Sequence, residues 1–201
     1  MNFNDICGEE HAKRAAEIAL SGHHFIHFVG SHQSQARDLA KLVNIQEGGS
    51  STLSLAIAPC PCGFYGDPQV VCNCTLEDIY RWRVEMFPWV PDMMIEVPNP
   101  MLEKILAWAQ NDFQDGEPHE DIVARVNHAR AIYYHISQTD ESAWTLLKAA
   151  MSHMALTPLV VKNTCAVANT IAILGNSGTV RTQHMAEAIQ YAPRGLYRRQ
   201  I

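Results

Sequence analysis

The chain has 201 residues, 47% of them apolar and 18% charged, enough for one packed domain or two small ones and too apolar for a disordered segment. Its formal net charge of -6 and pI near 5.9 exclude a broad electrostatic grip on nucleic acid, which needs clustered Lys and Arg. The opening MNFNDICGEEHAKR has no basic stretch leading into an apolar core, and no later run approaches transmembrane length. A cytoplasmic protein without membrane contact is expected, its six cysteines reduced and therefore better read as metal ligands than as disulfides.

In chain order, Ala12, Ala15, Ala16, Ile18 and Ala19 recur at helical spacing and predict a helix over Gly8 to Ser21. Phe25 to Val29 is apolar and rich in aromatic and β-branched residues, a buried strand running into Gly30. Ala36, Leu39, Ala40 and Val43 predict a helix from Ser34 to Val43. A Gly/Ser linker then leads to TLSLAIA, a second strand ending at Pro59, so a small parallel sheet with at least one crossover is expected. Beyond Glu77 the pattern is helical: Leu76 to Met86, Pro100 to Asn111, Glu120 to Ile136, Glu141 to His153, Val160 to Leu174 and Thr182 to Tyr191. Thr157-Pro158 and Asp115-Gly116-Glu117-Pro118 read as breaks, the latter dividing an α/β half, 1–112, from a helical half, 118–194.

The most specific local signal is Cys60-Pro-Cys62, nine residues, then Cys72-Asn-Cys74. Two close thiolate pairs joined by a short loop suit one tetrahedral Zn²⁺, and Gly63, Gly66, Asp67 and Pro68 supply the turns over 59–75. With all four positions filled by protein such a site is structural, and replacing Cys72 by Ser is expected to destabilise the fold. Free core thiols, an oxidation-prone pair and an iron–sulfur cluster are the alternatives. Cys7 and Cys165, far away in sequence, read as small buried hydrophobes.

Three blocks, ICGEEHAKRAAEIALSGHHFIHFVG, APCPCGFYGDPQVVCNCTLEDIYRWR and VANTIAILGNSGTVRTQHMAEAIQY, together resemble the magnesium-chelatase-like AAA+ ATPases of the ComM/YifB competence-protein type. They look like that family's opening, its cysteine-bearing insert and its C-terminal helical lid. The resemblance implies an α/β remnant of a P-loop core with a zinc loop, followed by an all-helical lid.

A P-loop requires glycines whose backbone N–H groups cradle phosphate, a lysine and a Mg²⁺-binding hydroxyl. Aligned on the resemblance, the stretch Gly30-Ser31-His32-Gln33-Ser34-Gln35-Ala36-Arg37 keeps only the first glycine. Gln35 stands at the second glycine, Ala36 at the lysine and Arg37 at the hydroxyl. The acidic Walker-B strand is missing between helix and cysteine block, Ala58 stands at the polar sensor, and no arginine follows the zinc block between Met86 and Met94. Asn163, Ala166 and Asn169 stand where the lid's arginines are expected. The resemblance thus implies a chain that neither binds Mg-ATP nor hydrolyses it, acting as scaffold, adaptor or regulator on itself or on a full-length AAA+ relative.

The rival readings are a residual ATP-binding protein or weak ATPase linked to DNA processing, with Arg37 or His32 replacing the lysine, and a small DNA-binding module. For the latter the footholds are Tyr80, Trp82, Phe87 and Trp89 as a stacking platform and the basic tail Arg194, Arg198 and Arg199. The aromatic group reads better as packing for the zinc loop, and nucleic-acid binding is expected to be weak. His23, His24, His27 and His32 share no helical face and read as solvated or core residues.

Overall fold

The computed structural model describes residues 1–49, 52–86, 90–110, 117–132 and 138–193. It is a mixed α/β protein in which helices dominate a small sheet. Helix α1 (Glu10–Gly22) buries Ala12, Ala15, Ala16, Ile18 and Ala19, whose short side chains let α5 (His119–Ala131) and α7 (Pro158–Leu174) approach closely. It ends at His23, held at φ 52° in the left-handed conformation that closes a helix.

Strand β1 (Ile26–Val29) is buried at all four positions and lies between two parallel neighbours, giving the order β2-β1-β3. Ile26 pairs with Ser54 of β2 (Ser54–Ile57) and with Met93 of β3 (Met93–Glu96). Helix α2 (Ala36–Gln46) makes the crossover to β2, turning Ala36, Leu39, Ala40, Leu42 and Val43 inward. Its Asn44 side chain accepts from the Leu53 and Ser54 N–H groups and donates to the Ser54 carbonyl, so an amide takes up bonds at the edge of β2 that a further strand would otherwise occupy.

The third strand lies between Met86 and Pro100, a stretch of the mostly helical region beyond Glu77 to which the sequence pattern assigned no element. Met93-Met94-Ile95-Glu96 lacks a run of β-branched residues, and four residues are too few to establish a period. Long-range pairing specifies it, with the Asp92 carboxylate accepting the Phe25 N–H at 2.9 Å just before the strand begins.

Helix α3 (Leu76–Met86) is started by a reciprocal cap in which Thr75 and Asp78 bond each other's backbone N–H groups. The remaining helices are α4 (Leu102–Ala109), α6 (Glu141–Met154) and α8 (Thr182–Tyr191). The break expected at Thr157-Pro158 separates α6 from α7 and also starts the latter: the Thr157 hydroxyl accepts the Val160 N–H, and Pro158 occupies the first turn, where no N–H is needed. The expected ends at Asn111 and Ile136 fall outside the described residues.

One apolar core draws on α1, β1, α2 and β3 and equally on α5 to α8, with Tyr191, Phe3, Phe28 and Ile18 among its largest buried side chains. Among the described residues, none from 58 to 92 belongs to it. This narrows the expected effect of Cys72→Ser from destabilisation of the fold to loss of order in the loop. No helix among the described residues is long and apolar enough to cross a membrane.

Candidate metal centre and the turn after β1

The segment following β2 folds back in a series of turns, with Gly63 and Gly66 at φ +81° and +80°, conformations that L side chains resist. These turns bring Cys60, Cys62, Cys72 and Cys74 together, all four sulfurs lying within 4.8 Å of one another. The Cys60–Cys62, Cys60–Cys72 and Cys62–Cys72 separations are 3.4, 3.7 and 3.6 Å. A disulfide brings sulfurs to about 2.05 Å. A tetrahedral zinc with bonds of about 2.3 Å spaces them by about 3.8 Å, close to what is observed.

Backbone groups support the sulfurs. The Tyr65 N–H points at the Cys60 sulfur, 3.3 Å away. The Phe64 N–H is the strongest of several influences pulling the Cys62 thiol down to about 6. At Cys74 the lowering effect of the Cys62 N–H is outweighed by desolvation and by neighbouring sulfurs, and the thiol is pushed up to about 12. Four sulfurs this close repel one another as thiolates, and a divalent ion at their centre removes that repulsion. The residues therefore fit a metal, and zinc suits an all-thiolate tetrahedral set. Cys7 is buried, with its sulfur 3.3 Å from the Lys104 carbonyl, and Cys165 is half-buried beside the core; neither joins the cluster.

The turn after β1 is occupied by its own side chains. The Ser31 hydroxyl accepts the Gln33 N–H, the Ser31 carbonyl accepts the Ser34 N–H, and the Ser34 hydroxyl accepts the Ala36 N–H. Three amides that could otherwise face an anion are thus directed inward. None of residues 30–37 has a positive φ, so the alternation of right- and left-handed residues that forms an anion-binding nest is missing here. Gln35 has φ -86° and uses its amide to pair with both the N–H and the carbonyl of Cys7, each at 2.8 Å. Gly30 lies so close to Ser34 and to the Val97 carbonyl that an added Cβ would clash with both. Ala36 faces the core, whereas Arg37 is exposed with a guanidinium nitrogen 3.3 Å from His32 Nδ1. The cavity at Gly30, Ala36, Arg37 and Ala58 holds about 40 Å³, against the roughly 300 Å³ or more of an ordinary small-molecule site.

Loop and turn meet. The His32 ring sits where a side chain at Gly63 would project and stacks edge-on against Phe64, with centroids 5.6 Å apart. Ser31 donates to Asn99 at 2.5 Å, and Asn99 donates to Asp67 at 2.8 Å, joining the turn, the segment after β3 and the loop. Asn99 between its two prolines and Asp67 carried no sequence signal for this role, although Asp67-Pro-Gln has the composition of a side-chain-capped turn, and Asp67 does accept the Gln69 and Val70 N–H groups. Trp82 donates to the Ala58 carbonyl at 2.8 Å, tying α3 to the chain just after β2 as the packing reading expected, whereas Tyr80 is exposed. Phe87, Trp89, Arg194, Arg198 and Arg199 lie outside the described residues. A cleft of about 370 Å³, lined by Ser31, Tyr65, Asp67, Arg83, Glu96 and Asn99, opens between the loop and the ends of β1 and β3.

The four histidines do not converge. His24 is buried and bonded to Thr170 at 2.7 Å, His27 is buried in β1, His23 is exposed beside Glu47, and His32 belongs to the turn. Asn163, Ala166 and Asn169 line the partly exposed side of α7.

Residues 116–192 match the family model described as magnesium chelatase, subunit ChlI C-terminal. No curated protein matches the chain.

Proposed function

From the match of residues 116–192 to the magnesium chelatase ChlI C-terminal model, we propose that the chain is a magnesium-chelatase-like protein, a non-catalytic relative of the AAA+ ATPases in which a structural Zn²⁺ on Cys60, Cys62, Cys72 and Cys74 has outlasted the nucleotide site. In this reading residues 1–112 are the degenerate core, 118–194 the lid, and the protein serves as scaffold, adaptor or regulator. The observation that carries it is the self-filled turn at Gly30, Ser34, Gln35, Ala36 and Arg37. Phosphoryl transfer is catalysed almost entirely by positioning and charge, and here the positioning amides are consumed internally while the lysine and the Mg²⁺ hydroxyl are replaced.

Adaptor chemistry finds support in two apolar stripes. Leu76, Tyr80 and Val84 are exposed at four-residue spacing on α3, and Leu102, Ile105, Leu106 and Trp108 are exposed on α4, which buries none of its eight residues. Apolar surface of this kind suits docking to a second copy or to a full-length AAA+ relative.

The test is turnover. Wild-type protein with Mg-ATP is expected to release phosphate at the buffer's rate, and Ala36→Lys is expected not to change that. Ala36 is only 3% exposed among core residues, so the lysine also costs stability, and the assay is read below the variant's melting temperature. Phosphate release above background by either protein contradicts the proposal and favours the weak-ATPase reading.

A further inference from the structure

The contacts between loop and turn lie outside the main core. His32 against Gly63 and Phe64, and the chain from Ser31 through Asn99 to Asp67, hold the two pieces together with one ring contact and two hydrogen bonds. The Phe64 amide serves the metal site while its ring meets His32, so one residue touches both structures. The loop is ordered by the sulfur cluster at Cys60, Cys62, Cys72 and Cys74, by turn bonds such as those Asp67 accepts from Gln69 and Val70, and by the Arg83 guanidinium over the Tyr65 ring, while Trp82 holds Ala58 just before it. Phe64 and Asp67 lie between the two cysteine pairs, where the sulfur cluster governs their position most directly.

We propose that metal loading of the cysteine loop latches the turn at residues 31–35, so that the protein has a metal-bound state with the turn covered and a metal-free state with the turn released. This rests on the four-cysteine metal reading. In the bound state the cluster fixes Gly63, Phe64 and Asp67, which hold His32 and Asn99, and Asn99 holds Ser31. When the metal leaves, four thiolates take up protons and separate, Phe64 and Asp67 lose their fixed positions, and the turn loses its cover. The apolar core contains no residue of the loop, so α1, α7 and α8 remain folded. The cleft between the loop and the ends of β1 and β3 loses one wall at the same moment, which turns metal occupancy into a change of surface at a distance from the sulfurs.

Hydrogen exchange read by mass spectrometry tests this on the full chain. The protein is measured after equilibration with Zn²⁺ and after stripping with EDTA, with bound zinc quantified in each sample. The account expects peptides spanning residues 31–37 to exchange at least ~10-fold faster in the stripped protein, while peptides from α7 stay unchanged. The double variant Phe64→Ala/Asn99→Ala should keep its zinc and still show the faster exchange. Protein that takes up no zinc overturns the metal reading and the latch with it. Protein that binds zinc yet exchanges equally at residues 31–37 in both states overturns the latch alone, as does a stripped protein in which α7 loses protection together with the turn.

Discussion

Replacing Glu17 by Ala should cost about 3 kcal/mol of folding stability, a large fraction of what a domain of this size possesses. Glu17 is 3% exposed and accepts hydrogen bonds from two guanidinium groups, Arg125 Nε at 2.7 Å and Arg14 Nη1 at 2.8 Å. Arg125 also pairs with Glu117, and Arg14 with Glu187 of α8 at 2.9 Å, so one buried carboxylate on α1 ties together α5, α8 and the segment entering α5. Removing it takes a buried partner from each guanidinium at once, leaving Arg125 with Glu117 and Arg14 with Glu187 at the edge of the core, and opens a space where the Glu17 side chain was packed. Loss of the charge, more than loss of the contact, sets the magnitude, and Glu17→Gln should therefore be destabilised too, though less. If Glu17 and Arg125 act through their mutual bond, the double variant Glu17→Ala/Arg125→Ala should lose less than the sum of the two single losses. Urea unfolding of the parent, these variants and Arg125→Ala measures this. A change within ~0.5 kcal/mol for Glu17→Ala would show that the network contributes nothing to stability.

The second large effect is on pH. Burial, acting against the nearby Asp92 charge, holds the His24 imidazole down at about 4, and burial alone does the same for His27. In the unfolded chain both rings titrate near 6.5. Between pH 6.5 and 4 the unfolded state therefore binds more protons than the folded one, and stability rises with pH across that window. The full contribution is present above pH 6.5 and is lost as pH falls through 4. At pH 4.5 each ring should cost roughly 2 to 3 kcal/mol relative to pH 7. Acid also protonates the cysteine thiolates, so the informative quantity is the difference between the protein and His24→Gln, in which the metal contribution cancels. The variant should lose about 2 to 3 kcal/mol less than the parent between pH 7 and 4.5. Identical losses would mean that His24 is no more difficult to protonate in the folded protein than in the unfolded one.

Local chemistry made some of this architecture readable in the sequence. Helices α3 and α8 begin and end where periodicity placed them, and the paired cysteines with their intervening glycines announced a cluster before any coordinates. Strand β3 was illegible because its four residues carry no strand-forming bias and acquire their conformation from β1. Thr157-Pro158 was legible as the break between α6 and α7, but periodicity began the second helix at Val160, two residues late, because the cap and first turn carry no apolar pattern. At the turn, the resemblance set Gln35, Ala36 and Arg37 where a P-loop carries its glycine, lysine and hydroxyl, but gave no account of what these side chains do. That Gln35 clasps the backbone of Cys7, and that Ser31 reaches the cysteine loop through Asn99, depends on contacts between segments 28 and 68 residues apart.

One measurement bears most directly on the claim that the metal site has outlasted the nucleotide site in this chain. Protein purified without added metal is mixed with Mg-ATP and weighed intact by native mass spectrometry. The account predicts a polypeptide carrying one zinc and no nucleotide, with the zinc lost on replacing Cys72 by Ser. A polypeptide carrying ATP or ADP, or one with no metal and four free thiols, would contradict it.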